Sequence, residues 1–224
     1  NIILFYQMNR AEEKIRKKII DTAKKLGSKE LNHGKAGNIS VRWKDGLLIT
    51  PSGISYDKIK PKDIVFIDKN CGYHHQLKPS SEWQLHHEIY KNFKVNAIIH
   101  THSTYSSAFS CLQKNLPAFH YMIAIFGGEN VRCARYETFG TKKLATAAIK
   151  ALNARNACLL ANHGLISIND NLSSAYDIVI ELEEMCKQYL VATKMGKLKL
   201  LSKKEMASVI KKFKSYKSAN SLSK

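Results

Sequence analysis

Apolar positions recur at helical spacing over 11–26, AEEKIRKKIIDTAKKL, where Ile15, Ile19, Ile20, Ala23 and Leu26 form one stripe. The pattern then changes. A breaker-rich stretch, GSKELNHGKAGN, leads into ISVRW, whose apolar and polar residues alternate as in a half-buried strand. The short turn KDG passes into LLIT, so 39–50 reads as a hairpin. DIVFID, 63–68, reads as a further strand, Glu82 to about Asn92 as a helix, and 96–101 as a strand with a helix starting near Ser103. NVRCARY and ACLLANHGLISI are each expected as a strand, separated by a helix at about 141–153. The last third reads as helices over 173–194 and 203–214, the second opening on Ser202 and Glu205. The Lys/Ser tail is expected to fray beyond Tyr216.

Interleaved strands and helices with short links, and no internal repeat, predict one α/β domain with helices packed on a mixed sheet. That domain is expected to span 8–224. Residues 1–7, NIILFYQ, carry no Met and are too short for a signal segment, so they are expected to be a non-native or disordered extension.

Composition narrows the field. The 224 residues are 44% hydrophobic, yet no apolar run approaches the roughly 20 residues that span a bilayer, so no membrane partner is expected. Cys71, Cys111, Cys133, Cys158 and Cys186 are odd in number, far apart and free of any C-x-x-C, which points to reduced thiols in a cytoplasm. The net charge of +18 invites a nucleic-acid reading. Its basic residues are mostly lysines spread along the chain, however, with arginine only at positions 10, 16, 42, 132, 135 and 155. Readers of phosphate and base edges lean on arginine forks. A solvated Lys-rich surface with some attraction for anionic substrates is the expected outcome, and no nucleic-acid partner.

The candidate chemistry starts at AIIHTHST, 97–104. An H-x-H pair in a strand presents both imidazoles on one face, which suits two adjacent ligands of a zinc or iron site. His163, in LLANHGLI, repeats the local setting of His100: an apolar strand delivering an imidazole beside Gly164. The other histidines lie in loops (His33, His74, His75), on a helix (His86, His87) or before Tyr121 (His120). In KPSSEWQLHH, Ser81-x-x-Gln84 fits a capping box. The same hydroxyls at a helix start also suit an anion, with Glu82 beside it as a candidate general base. GKAGNIS and TPSG supply glycines and the polar groups Asn38, Ser40 and Ser52, but match no Walker A or dinucleotide motif.

The segments GKAGNISVRWKDGLLITPSGI, DIVFID, PSSEW, NAIIHTHS, PAFHYMIAIFGG, YETFGT and NHGLI, in this order and spacing, resemble the class II aldolase/adducin-head family from about residue 10 to Tyr216. Within it they are most similar to the branch that acts on L-fuculose 1-phosphate. The resemblance implies a three-layer α/β/α domain with a mostly antiparallel central sheet. It implies one Zn²⁺ held by His100, His102 and His163, with Glu82 as acid/base and an added ligand in the empty site. A substrate phosphate is expected among Asn38, Ser52, Gly53, Ser80 and Ser81. Tyr121 matches a tyrosine lent to a neighbouring subunit, and Tyr216 a C-terminal tyrosine that helps close the site. A homotetramer with sites between subunits follows. The implied reaction is reversible cleavage of a 2-ketose 1-phosphate, L-fuculose 1-phosphate first, to dihydroxyacetone phosphate and L-lactaldehyde. The alternatives are an aldolase for another deoxyketose phosphate, such as 5-deoxyribulose 1-phosphate, or a methylthioribulose-1-phosphate dehydratase.

Two positions depart from the family pattern: Lys35 stands where relatives carry a small residue or Thr, and Asn162 where fuculose-type relatives carry a His. Rival classes fit less well. The lactamase-like H-x-H-x-D-H is absent, since Ser103 and Thr104 follow His102. Adducin heads lack the histidine triad, and sister epimerases carry Asp at the position of Glu82.

Overall fold

The computed structural model describes residues 8–221, apart from the side chains of Lys214 and 216–221. Helix α1, Arg10–Ser28, is capped by Asn9, whose side chain accepts from the Glu12 amide. Strands β1, Asn38–Trp43, and β2, Gly46–Ile49, form the expected hairpin. They are followed by β3, Val65–Ile67; α2, Trp83–Asn92; β4, Ala97–Thr101; and α3, Thr104–Ser110. A 3₁₀ turn, Tyr121–Phe126, precedes β5, Cys133–Ala134, and α4, Lys142–Leu152. Strands β6, Ala157–Leu160, and β7, Gly164–Asn169, then lead to α5, Leu172–Met195, and α6, Lys203–Ser221.

The strands form one seven-stranded sheet in the order β3-β2-β1-β4-β7-β6-β5. Every pairing is antiparallel except β5 with β6. Alternation along the strands feeds two cores. Ile39, Leu48, Ile99, Leu159 and Leu165 face one way and pack with Ile19, Phe109, Phe126, Val179, Leu182 and Met206. Leu47, Ile49, Ile98, Leu160 and Ile166 face the other way and pack with Leu85 and Ile89 of α2 and Leu144 and Ala148 of α4. Both faces of the sheet are covered by helices, which gives the expected three-layer α/β/α domain with a mixed, mostly antiparallel sheet. Among the described residues no helix is long and apolar enough to cross a membrane.

Four local expectations are corrected. ACLLANHGLISI is two strands, not one: the chain reverses at Ala161–His163, with Asn162 at φ +54° and the His163 amide donating to Leu160 O at 3.1 Å. NVRCARY joins the sheet over only two residues, Cys133 and Ala134, because β5 lies at its edge; Val131 instead makes an isolated antiparallel bridge with Leu116. The capping box at Ser81 does not form. Glu82 occupies the N-cap of α2 with no side-chain cap, and Ser80 Oγ instead accepts from the Glu82 amide at 3.3 Å. The tail stays helical to Ser221 rather than fraying after Tyr216. Residues 1–7 lie outside the described residues.

Candidate metal centre and active site

The site forms where β1, β4, the β6–β7 turn and the start of α2 meet. His100 lies within β4, paired across the sheet with Asn38 of β1 and with Ile166 of β7. His102 lies just past the strand end, where its amide donates to Asn32 Oδ1 at 3.2 Å. His163 sits in the β6–β7 turn. Gly164 is required there, because a Cβ would stand 2.3 Å from Thr101 O and 3.2 Å from the His102 ring. Gly37, at φ +72°, is equally constrained: a Cβ would lie 2.5 Å from the Asn32 side chain and 2.6 Å from His100 O.

The three imidazoles stand edge to face around a common point, with ring centroids 4.7 to 4.8 Å apart. One ligand atom from each, with one carboxylate oxygen of Glu82, all lie within 4.8 Å of one another. His100 Nε2 is 2.8 Å from His102 Nε2 and 3.0 Å from Glu82 Oε2, while His163 Nε2 is 3.4 Å from Glu82 Oε1. His100 Nδ1 donates to Leu165 O at 2.7 Å, which orients the ring and aims Nε2 into the cluster.

The donor set fits a divalent cation. Burial, then repulsion from the charge of His100, lowers both His102 and His163 to about 4, so both are neutral at pH 7 and offer lone pairs. Burial alone would raise the Glu82 carboxyl; the charge and hydrogen bond of His100, then His163 and Asn38, outweigh it and hold Glu82 well below the usual carboxylate range. Conversely, burial disfavours a charged His100, but the Glu82 carboxylate raises it above its ordinary value. Among the described residues Glu82 Oε1 is buried and has no hydrogen-bond partner. Three imidazoles, an anionic oxygen lacking a donor, and room on one side are what a catalytic zinc-type site requires.

That room is a cleft of about 390 Å³. It is lined by Glu82, His102 and His163 together with Asn38, Ser52, Gly53, Ser80 and Ser81. The two serine-bearing segments are tied together: Ser52 N donates to Lys78 O at 2.9 Å and Ser80 N to Thr50 O at 3.0 Å. Lys35 also lines the cleft, as do Tyr136, Glu137, Phe139 and Asn162. Tyr121 does not line it; it is 50% exposed and stacked on Phe213, with centroids 6.4 Å apart and planes at 7°. Tyr216 lies in α6, and its side chain falls outside the described set.

Sequence reasoning passed over two residues that the tertiary structure brings in. Asn32 receives the His102 amide. His86, one turn beyond Glu82 on α2, is fully buried, its Nε2 2.5 Å from Asn38 Oδ1 and its Nδ1 2.6 Å from Ser40 Oγ. Burial lowers its imidazole to about 3, and the charge of His100 adds to this. The available signal was the Glu82–His86 spacing, which places both on one helical face.

Converging imidazoles and a carboxylate beside a cleft form a group that could hold a metal ion. Residues 17–190 match the family described as Class II Aldolase and Adducin N-terminal domain, and the chain belongs to that family. It is similar to the 5-methylthioribulose-1-phosphate/5-deoxyribulose-1-phosphate aldolase of Rhodospirillum rubrum, with 43% identity over 90% of this chain and 92% of the relative. The L-fuculose phosphate aldolase of Escherichia coli is 44% identical over 91% of this chain and 95% of its own. A solved L-fuculose 1-phosphate aldolase superposes with a TM-score of 0.86 at 42% identity, covering 90% of this chain and 96% of that one. The protein is a class II aldolase, a carbon–carbon lyase.

Proposed function

We propose that this aldolase reversibly cleaves a 2-ketose 1-phosphate to dihydroxyacetone phosphate and an aldehyde, with one Zn²⁺ per subunit on His100, His102 and His163. The carrying observation is one cleft in which the histidine–carboxylate group adjoins Asn38, Ser52, Gly53, Ser80 and Ser81. When bound, the ion polarises the ketose carbonyl and offsets the negative charge that develops as C3–C4 breaks.

Glu82 moves the proton at carbon: it delivers one to C3 of the dihydroxyacetone phosphate half during cleavage and removes it during synthesis. The hydrogen bond from Asn38 Nδ2 to Glu82 Oε2, 3.0 Å, holds that carboxylate in place. The serine hydroxyls and the Gly53 amide bind the phosphate, and Lys35, the one lysine or arginine of the cleft lining, adds positive charge. Tyr121 exchanges a proton with the aldehyde oxygen in the site of a neighbouring subunit; its exposure outside its own cleft supports that role. A cytoplasmic homotetramer is the matching assembly, with Tyr216 closing the site.

L-fuculose 1-phosphate is the first substrate, with L-lactaldehyde as second product, by likeness to the Escherichia coli relative. A second reading, 5-deoxyribulose or 5-methylthioribulose 1-phosphate, is favoured by the near-equal identity of the Rhodospirillum rubrum relative. A retro-aldol assay across these three phosphates, with a chelator control, ranks them through dihydroxyacetone phosphate release. Release of water without dihydroxyacetone phosphate would reveal a dehydratase, and turnover of none would reject the reading. Sedimentation of the active species checks the tetramer.

A further inference from the structure

Behind the cleft, a line of buried polar side chains runs from Glu82 between β1 and α2. Asn38 Nδ2 meets Glu82 Oε2 at 3.0 Å, Asn38 Oδ1 meets His86 Nε2 at 2.5 Å, His86 Nδ1 meets Ser40 Oγ at 2.6 Å, and Ser40 Oγ meets Tyr90 OH at 2.9 Å. Asn38 and Ser40 are alternate residues of β1, so both point to the α2 side, while His86 and Tyr90 are one turn apart on α2. Asn38, Ser40 and His86 are at most 2% exposed, and Tyr90 is 6% exposed.

The chemistry of the end group sets the direction of the whole line. An ionised carboxylate only accepts, so Asn38 must turn its NH₂ to Glu82 and its carbonyl to His86. His86 must then carry its proton on Nε2. As a neutral imidazole its Nδ1 is an acceptor, filled by the Ser40 hydroxyl; Tyr90 OH lies 2.9 Å from that oxygen and also donates towards Asn96 O at 3.5 Å. Reversal of the Asn38 carboxamide would aim its carbonyl at the Glu82 carboxylate, two acceptors about 3 Å apart in a buried site, which is strongly unfavourable.

We propose that His86 is a positioning residue for catalysis: held in the Nε2–H tautomer by the Ser40 hydroxyl on its Nδ1, it fixes the Asn38 carboxamide and thereby the aim of the Glu82 carboxylate. This rests on the reading of Glu82 as the group that exchanges a proton with substrate carbon. His86 itself does not line the cleft; its own hydrogen bonds go to Asn38, which does, and to Ser40, and none goes to the histidine cluster.

The test uses full-length zinc-loaded protein. Nitrogen-15 spectroscopy of the imidazoles, with His86→Gln identifying the signal, is expected to show His86 protonated on Nε2; an Nδ1-protonated or doubly protonated ring overturns the proposal. The second readout is deuterium exchange into dihydroxyacetone phosphate, the proton-transfer half-reaction alone. His86→Phe is expected to lower it about 10–100-fold, the range typical of groups that orient an active-site residue, with one zinc per subunit retained. His86→Gln, which restores a donor to Asn38, is expected to recover exchange to within several-fold of the unaltered protein. Should the Phe variant not fold, Ser40→Ala replaces it, since losing the hydroxyl frees the other tautomer and is expected to slow exchange likewise. Full exchange in the Phe or Ala variant, or loss of zinc in step with loss of exchange, rejects the positioning role. Glu82→Gln serves as the separate control: if it leaves exchange intact, the reading of Glu82 itself fails instead.

Discussion

Asn38 and His100 are register partners on β1 and β4, and both reach the same oxygen, Glu82 Oε2, at 3.0 Å. Two adjacent strands therefore grip one carboxylate that arrives from the start of α2. The grip is rigid because each strand is hydrogen-bonded on both sides: β1 between β2 and β4, and β4 between β1 and β7.

Metal binding should release protons. His100 is raised above its ordinary value by Glu82, so a cation entering the cluster displaces a proton from its Nε2. Zinc affinity, measured by competition with a chromophoric chelator, is expected to fall as pH falls. His102→Ala is expected to lose the ion, and with it nearly all activity. Full turnover by protein verified to be metal-free would refute the metal-dependent mechanism.

Glu82→Gln should separate fold from chemistry. The amide keeps the shape and leaves the three imidazoles to hold the ion. Turnover is expected to drop by about 10²–10⁴, as for loss of a general acid/base. Metal analysis alongside steady-state kinetics checks both halves, and near-normal turnover would remove Glu82 from its role.

Gly37→Ala is expected to destabilise the domain and loosen the site together. At φ +72° an alanine is strained by roughly 1–3 kcal/mol, and its Cβ would press on Asn32 and on His100 O. Urea unfolding should show the loss. Gly53→Ala, also at positive φ but with nothing within 4 Å of its Cβ, should cost less.

The buried His86 should make the protein acid-sensitive. Its folded value of about 3 lies below the unfolded value of about 6.5, so between these values the unfolded chain binds the extra proton. The stability it contributes is present above pH 6.5 and is lost as pH falls towards 3, with a slope of about 1.4 kcal/mol per pH unit. Unfolding of metal-free protein at stepped pH is expected to show a shallower decline in His86→Gln. Equal slopes would mean that this imidazole is not held neutral.

Much of this was legible in the chain because the signals are local. Helical periodicity located α1, alternation located β1 and β2, and PSSEW, AIIHTHST and NHGLI carried the carboxylate and the three imidazoles able to bind a cation. Elsewhere local signals misled. A mostly apolar stretch of twelve residues, ACLLANHGLISI, conceals its own reversal, which falls on Asn162 in a left-handed turn rather than on a glycine. Ser81 and Gln84 have the spacing of a capping box, yet the chain enters α2 through Glu82, drawn inward by His100 and Asn38.

The sequence by itself determined the element types, the two-faced sheet and the residues able to bind a cation, because period and residue chemistry are properties of the chain. Only tertiary structure decided which oxygen Asn38 holds, that His86 stands behind it, and that Lys35 borders the same cleft. These depend on the β1–β4 register and on the seat of α2 over the sheet, contacts between residues 44 to 62 positions apart. No local pattern encodes them, because a hydrogen bond across that separation exists only once both cores have closed.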